Sequence, residues 1–212
     1  LDGVRYSQGS GPAYDTSDSN FTIGRNPIAS EFWDGKIDDV RVYNYARTHK
    51  QIIQDMNAGH PAVGSPVGSP IAHYSFDEMQ GQTINNKGNQ GSALNGTRGA
   101  DSSAASDDPT WTNPESCKVN GCLDFDGSAD YVTTSEGSAM STDNYTYSAW
   151  IYRDTDNGSN NRIIGNRDAN DDGVMLQLKN EAALDPLNCH QDRKSTRLNS
   201  SHQIISYAVF CL

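Results

Sequence analysis

"FWDGKIDDVRVYNYA", residues 32–46, is the stretch on which the fold turns. After the Asp34-Gly35 pair, which is expected to form a turn, Ile37, Val40, Val42 and Tyr43 supply the β-branched and aromatic side chains of a strand. The following "ARTHKQIIQDMNAG", residues 46–59, changes to helical spacing, with Ile52, Ile53 and Met56 expected on one side and Gly59 as the stop. Upstream, "FTIG" at 21–24 alternates as a short strand does.

Working outward, "HPAVGSPVGSP" at 60–70 has Pro, Gly and Ser with almost no apolar bulk and reads as a linker. Strands resume with "IAHYSF" at 71–76. A long polar stretch from Asp77 to Asn113 follows, expected to be ordered loop because Trp111 is costly to leave in solvent. "CLDFDGSADYVTT" (122–134) and "NYTYSAWIYRD" (144–154) show the period of two of half-buried strands, the first broken at Asp126-Gly127. "NRIIGNRD" (161–168) and "GVMLQLKN" (173–180) add two more around an acidic loop. Many short strands with frequent turns predict an all-β antiparallel sandwich or jelly roll.

Composition agrees. The chain has 212 residues, 34% hydrophobic content and 19 glycines, lean for a helical bundle and ordinary for a β protein. The formal charge is -11, and since Arg193, Lys194 and Arg197 outnumber Asp192 in the closing stretch, the remainder is more acidic still. Such a surface repels phosphate backbones and anionic membranes, so nucleic acid is excluded as a partner. No segment approaches the roughly 20 apolar residues of a bilayer span, and no membrane insertion is expected. Of the four cysteines, only Cys117 and Cys122 lie close, in "CKVNGC". This is neither a redox CxxC nor part of a zinc array; a small disulfide across a tight turn, implying an oxidising compartment, stands beside the alternative of two free thiols.

The motifs together resemble the laminin-G-like, or concanavalin A-like, jelly rolls, especially their pentraxin-like bacterial branch. The second half of that family's pattern matches "LDG" (1–3), "FTIG", "FWDGKIDDVRVYNYA" and "KQIIQDMNAG" (50–59); its first half matches "YSFDEMQG" (74–81), "GCLDFDGSADYV" (121–132), "YTYSAWIY" (145–152) and "RIIG" (162–165). The halves occur in reversed order. The resemblance therefore implies the C-terminal half of one jelly roll at 1–59, the linker at 60–70, and the N-terminal part of a second at 71–180, as two partial modules cut at both ends or as one circularly permuted composite. The opening residues read as the inside of a strand, so the lack of a signal peptide is expected to reflect a missing N-terminus rather than a cytoplasmic location. Residues 181–191 match nothing in the family. Residues 192–202 and 205–212, "DRKSTRLNSSH" and "ISYAVFCL", resemble the conceptual translation of an indexed short-read sequencing adapter, with Gln203 and Ile204 in the place of the index. Residues 192–212 are accordingly given no functional weight.

The sharpest candidate site is "DANDDG", Asp168–Gly173, where Asp168, Asn170, Asp171 and Asp172 offer oxygen ligands suited to calcium. It is not an EF-hand: the twelfth position is Lys179 where a bidentate Glu is required, and strands flank it. The resemblance implies that Asp171 and Asp172 stand where pentraxin-like domains place calcium ligands; the stretch where that family's other ligands arise is here "IGRNPIASE" (23–31), in the other module, which offers Asn26 and Glu31 but no acidic cluster. Asp38 and Asp39 with Asp77 and Glu78 form a second candidate metal set, because the first and last strands of a jelly roll are neighbours. Trp33 and Trp111 are candidate sugar-stacking residues, whereas Trp150 is expected in the core. Solvated loops and core packing are the plain alternatives for all of these.

No H-E-x-x-H, G-x-S-x-G or P-loop is present, nor the "E-x-D-x-x-E" strand of glycosidases sharing this fold. The expectation is a non-catalytic extracellular or cell-surface module binding a glycan or an extracellular protein, with calcium as its candidate cofactor. The alternatives are an accessory domain of a secreted carbohydrate-active enzyme or an architectural spacer in a surface protein.

Overall fold

The computed structural model describes residues 20–26, 29–57, 69–134, 145–155, 160–166, 174–178, 187–191, 194–198 and 207–211. In chain order the elements are β1 (Thr22–Ile23), β2 (Asp34–Tyr43), helix α1 (His49–Asn57), β3 (Ala72–Tyr74), β4 (Thr83–Ile84), β5 (Gly96–Arg98), β6 (Thr110–Thr112), β7 (Cys122–Asp126), β8 (Val132–Thr134), β9 (Thr146–Arg153), β10 (Asn161–Gly165), β11 (Val174–Leu178), β12 (Leu187–Gln191), β13 (Lys194–Leu198) and β14 (Tyr207–Cys211). The polar stretch after Asp77 is ordered, carrying β4 to β6 and two short 3₁₀ turns.

Two antiparallel sheets result. One has eight strands in the order β13-β12-β11-β10-β1-β8-β5-β4; the other has six, β14-β9-β2-β7-β6, with β3 also pairing β2. The chain on either side of the linker thus contributes to the same two sheets. β1 lies between β10 and β8, and β2 between β9 on one side and β7 and β3 on the other. The outermost strands β13 and β14 fall in the stretch that resembles translated adapter; among the residues whose side chains are described, the core cluster runs from Phe21 to Leu176, with Trp111 and Leu178 packed against it.

The period of two decides what fills that core. From β9 Tyr147, Ala149 and Ile151 face inward, joined by Ile37, Val40 and Val42 of β2, Leu123 and Phe125 of β7, and Ile163, Ile164 and Leu176 of β10 and β11. The intervening residues of β9 face the other way. Trp150, expected in the core, is therefore half-buried on the outer face and Tyr152 is 47% exposed.

Two other expectations are corrected. Asp34-Gly35 makes no turn but opens the ten-residue β2. Gly35 sits at φ +128 because it is pressed against the next strand: a Cβ there would lie 2.2 Å from the Tyr152 carbonyl oxygen and 2.8 Å from the Asp154 nitrogen. In α1, Ile52 is buried but Ile53 is exposed. The inward seat expected for it goes to Asp55, drawn in by Arg47. Gly59, the expected stop, lies outside the described residues. No helix among the described residues is long and apolar enough to cross a membrane.

Candidate functional site

The outer face of the six-stranded sheet carries the most developed polar structure. Asp38 of β2 pairs with Trp150 of β9, but Arg41 pairs with Ser148, so one extra β2 residue is accommodated in a bulge. Asp39 adopts φ +51, a left-handed conformation that Asp tolerates better than most side chains. The bulge re-aims Asp39 so that its Oδ2 lies 2.5 Å from Arg41 Nη2 and its Oδ1 2.6 Å from His73 Nε2. From α1, Asp55 accepts two bonds from Arg47 Nη2, at 2.5 and 2.6 Å, and one from the Tyr43 hydroxyl at 3.1 Å. The Arg47 guanidinium also lies 4.3 Å over the Tyr43 ring. Burial pushes the Tyr43 phenol well above its ordinary pKa, and the Asp55 charge pushes it further.

All six charged or ionisable members, Asp39, Arg41, Tyr43, Arg47, Asp55 and His73, are buried. Each finds opposite charge or a hydrogen bond, the condition for such groups to be tolerated there. The arrangement clamps α1 onto the sheet. A small cleft beside it is lined by Arg41, Asp55, Met56, Ser148 and Trp150.

The second metal set is engaged otherwise. Asp38 Oδ2 accepts the Val119 N–H at 2.8 Å, and Asp77 Oδ1 accepts the Gly121 N–H at 3.2 Å while Lys87 Nζ lies 3.0 Å from its Oδ2. Burial opposes the Asp77 charge, but the bonds from Lys87 and Gly121 outweigh it and hold the carboxyl below its usual range. Glu78 Oε1 accepts from the backbone and side-chain amides of Asn85. Asp38 and Asp77 thus pin one loop, the segment Lys118–Gly121, which the Cys117–Cys122 disulfide closes. Asp39 is occupied by Arg41 and His73, so these four carboxylates do not converge as a cation site. Among the described residues, no group of three or more His, Cys, Asp or Glu side chains is placed to hold a metal.

Asp168, Asn170, Asp171 and Asp172 lie outside the described residues. Their implied companions do not: Glu31 bonds Asn26, Asn160 and Arg162. Burial works against the Glu31 charge, but the two amides and the guanidinium prevail and keep its pKa low. These contacts place Asn26 and Glu31 at the Asn160–Arg162 end of β10, whereas the chain leaves β10 for residues 168–172 from Gly165, the opposite end.

The tryptophans separate clearly. Trp33 is fully buried in the core and presents no ring face to a sugar. Trp111 on β6 is half-buried, its indole N–H donating to the Gly81 carbonyl at 3.1 Å and the Arg98 guanidinium 5.5 Å from its ring centre. Trp150 carries Lys118 Nζ at 4.3 Å over its ring, and Lys36 Nζ stands 5.2 Å from the Tyr152 ring centre. Sequence reasoning missed this outer-face row. The signal was the parity of β9, where Trp150 and Tyr152 alternate with inward Ala149 and Ile151.

One further cluster went unread. Asp126 Oδ1 accepts the N–H groups of Ser128 and Ala129, and Asp130 Oδ2 accepts that of Asp126. Burial, with Asp126, Asp108 and Asp107 nearby, pushes the Asp130 carboxyl up to about 6.

Antiparallel sheets enclosing one core define the chain as an all-β sandwich. A family model of the laminin-G type, described as the concanavalin A-like lectin/glucanases superfamily, matches residues 1–53 and 126–204, more than half of the chain, which belongs to that family. The interval between the matches holds the "YSFDEMQG" motif, and the second match runs into the closing stretch. Neither the curated proteins nor the solved structures include a match to the chain. A domain of this family is in general a carbohydrate- or protein-binding module.

Proposed function

We propose that the chain is a non-catalytic binding module acting outside the cell or at its surface, taking a glycan or an extracellular protein as ligand with the help of calcium. The observation that carries this reading is membership of the lectin and glucanase superfamily on an antiparallel sandwich. The Cys117–Cys122 disulfide supports an oxidising compartment, since such bonds rarely persist in the cytosol. Tyr152, 47% exposed, and the half-buried Trp111 and Trp150 supply aromatic surface suited to sugar rings in place of the buried Trp33, with Lys118 the side chain a sugar would displace from Trp150. We assign calcium to Asp168, Asn170, Asp171 and Asp172, which follow one another closely in sequence and carry the carboxylate and amide oxygens that a hard cation prefers.

A glycan array probed with the protein in calcium and in chelator tests the reading. Binding to defined glycans that weakens in Trp111→Ala or Trp150→Ala supports it. An array and an extracellular-protein panel that both stay blank would overturn it.

A further inference from the structure

β1 and β2 are the arms of one hairpin, yet they enter different sheets. The hairpin is closed by bonds from Trp33 N–H to the Gly24 carbonyl at 2.7 Å and from Asn26 N–H to the Glu31 carbonyl at 2.9 Å. β1 is flanked on both sides, and β2 on both sides, by strands from beyond the linker. Withdrawing the hairpin leaves β8 and β10 separated by two ladder spacings, about 10 Å, and opens a slot of the same width beside β9.

The fit is specific. Phe21, Ile23, Trp33, Ile37, Val40 and Val42 fill the core. Three polar pins add register: Glu31 to Arg162 and Asn160, Asp38 to the Val119 N–H, and Asp39 to His73. The disulfide lies wholly beyond the linker and does not fasten the hairpin.

We propose that this hairpin is an exchangeable element, and that the partner its two slots fit is a second copy of the chain donating the same hairpin. A donor identical in sequence satisfies every ladder bond, apolar contact and polar pin, which is why reciprocal exchange is a low-cost route to a dimer. A connection of this length reaches at most about 40 Å and sustains an effective concentration in the millimolar range, so self-closure prevails in dilute solution. Shortening it reverses the preference. This inference does not depend on the ligand-binding reading: an array that stays blank leaves it untouched.

The test uses the full chain with a protease site placed within residues 60–67. After nicking, the two pieces are expected to co-elute on size exclusion and to melt as one species; pieces that separate overturn the proposal. The nicked protein is then mixed with a nicked preparation whose hairpin piece is isotopically labelled, and the mixture is denatured and renatured. Native mass spectrometry is expected to find light and heavy hairpins exchanged, and their failure to mix overturns the proposal. In a companion chain lacking residues 61–67, light scattering is expected to report a folded dimer, and a folded monomer counts against it. If that variant does not fold, the exchange experiment decides alone.

Discussion

His73 Nε2 and Asp39 Oδ1, 34 residues apart in sequence, lie 2.6 Å from one another with both side chains buried. The contact exists because a bulge in β2 turns Asp39 toward β3, where Arg41 and His73 stand directly opposite in the ladder. A buried carboxylate held this way fixes the geometry of everything that leans on it.

Replacing Asp39 by Ala leaves the Arg41 charge buried without its nearest partner. Loss of one member of such a pair costs about 3–5 kcal/mol. Denaturant unfolding of Asp39→Ala should show a midpoint lowered accordingly, and a change within error would show that the bulge does not depend on the pair.

Asp130 gives the protein a pH dependence of definite sign. Its folded pKa of about 6 lies above the ordinary 3.8, so its contribution is fully present below about 3.8 and is lost as pH rises through 6. The difference corresponds to roughly 3 kcal/mol at most. Asp130→Asn keeps an oxygen to accept the Asp126 N–H and removes the charge. Thermal melts should show it stabilised at pH 7.5 and indistinguishable from the parent near pH 4.

Gly35→Ala should be severe. The added methyl meets the Tyr152 carbonyl and the Asp154 nitrogen, both backbone atoms, at a positive φ. Yield of soluble protein and unfolding free energy should both fall, whereas Gly81→Ala, whose Cβ meets nothing within 4 Å, should cost only the φ strain of about 1 kcal/mol.

Reducing Cys117–Cys122 removes closure of a very short loop, worth about 2 kcal/mol on the chain-entropy model. Because Lys118 covers the Trp150 ring, reduction should also change tryptophan fluorescence. Trp150→Phe should abolish that change if it arises there, and an unaltered response would place its source elsewhere.

Calcium should raise the melting temperature of the chain relative to chelator if the 168–172 carboxylates bind it only when folded. Asp171→Asn with Asp172→Asn should erase the difference, and an unchanged midpoint in the parent sinks the assignment.

The sandwich was legible because its signal is local: alternation in β9 and β7 and the change of period at Ala46 need no knowledge of partners. The reading failed where a neighbour decides. Asp34-Gly35 looks like a turn in one dimension, but the glycine serves close approach of β9. Ile53 yields its seat to Asp55 because Arg47 waits beneath the helix, and Trp150 faces outward because Ala149 and Ile151, its neighbours in the strand, face the core. For the candidate site, the adjacent acids in "IDDV" stand out in the sequence, but a bulge is invisible there. Their true partners, His73 and Val119, come from across the sheet and the disulfide loop.

The central position of β2 also sets the timetable on which the chain becomes whole. Ile37 must wait for Ile151, its partner across the ladder, to be synthesised. At cellular elongation speeds that interval is on the order of ten seconds. Early in it a ten-residue strand carrying Ile37, Val40 and Val42 has no ladder on either side, and until β9 emerges only the side paired by β3 and β7 can close. High contact order of this kind slows folding and prolongs exposure to aggregation, so slower growth at low temperature should favour soluble protein more than a stronger promoter does.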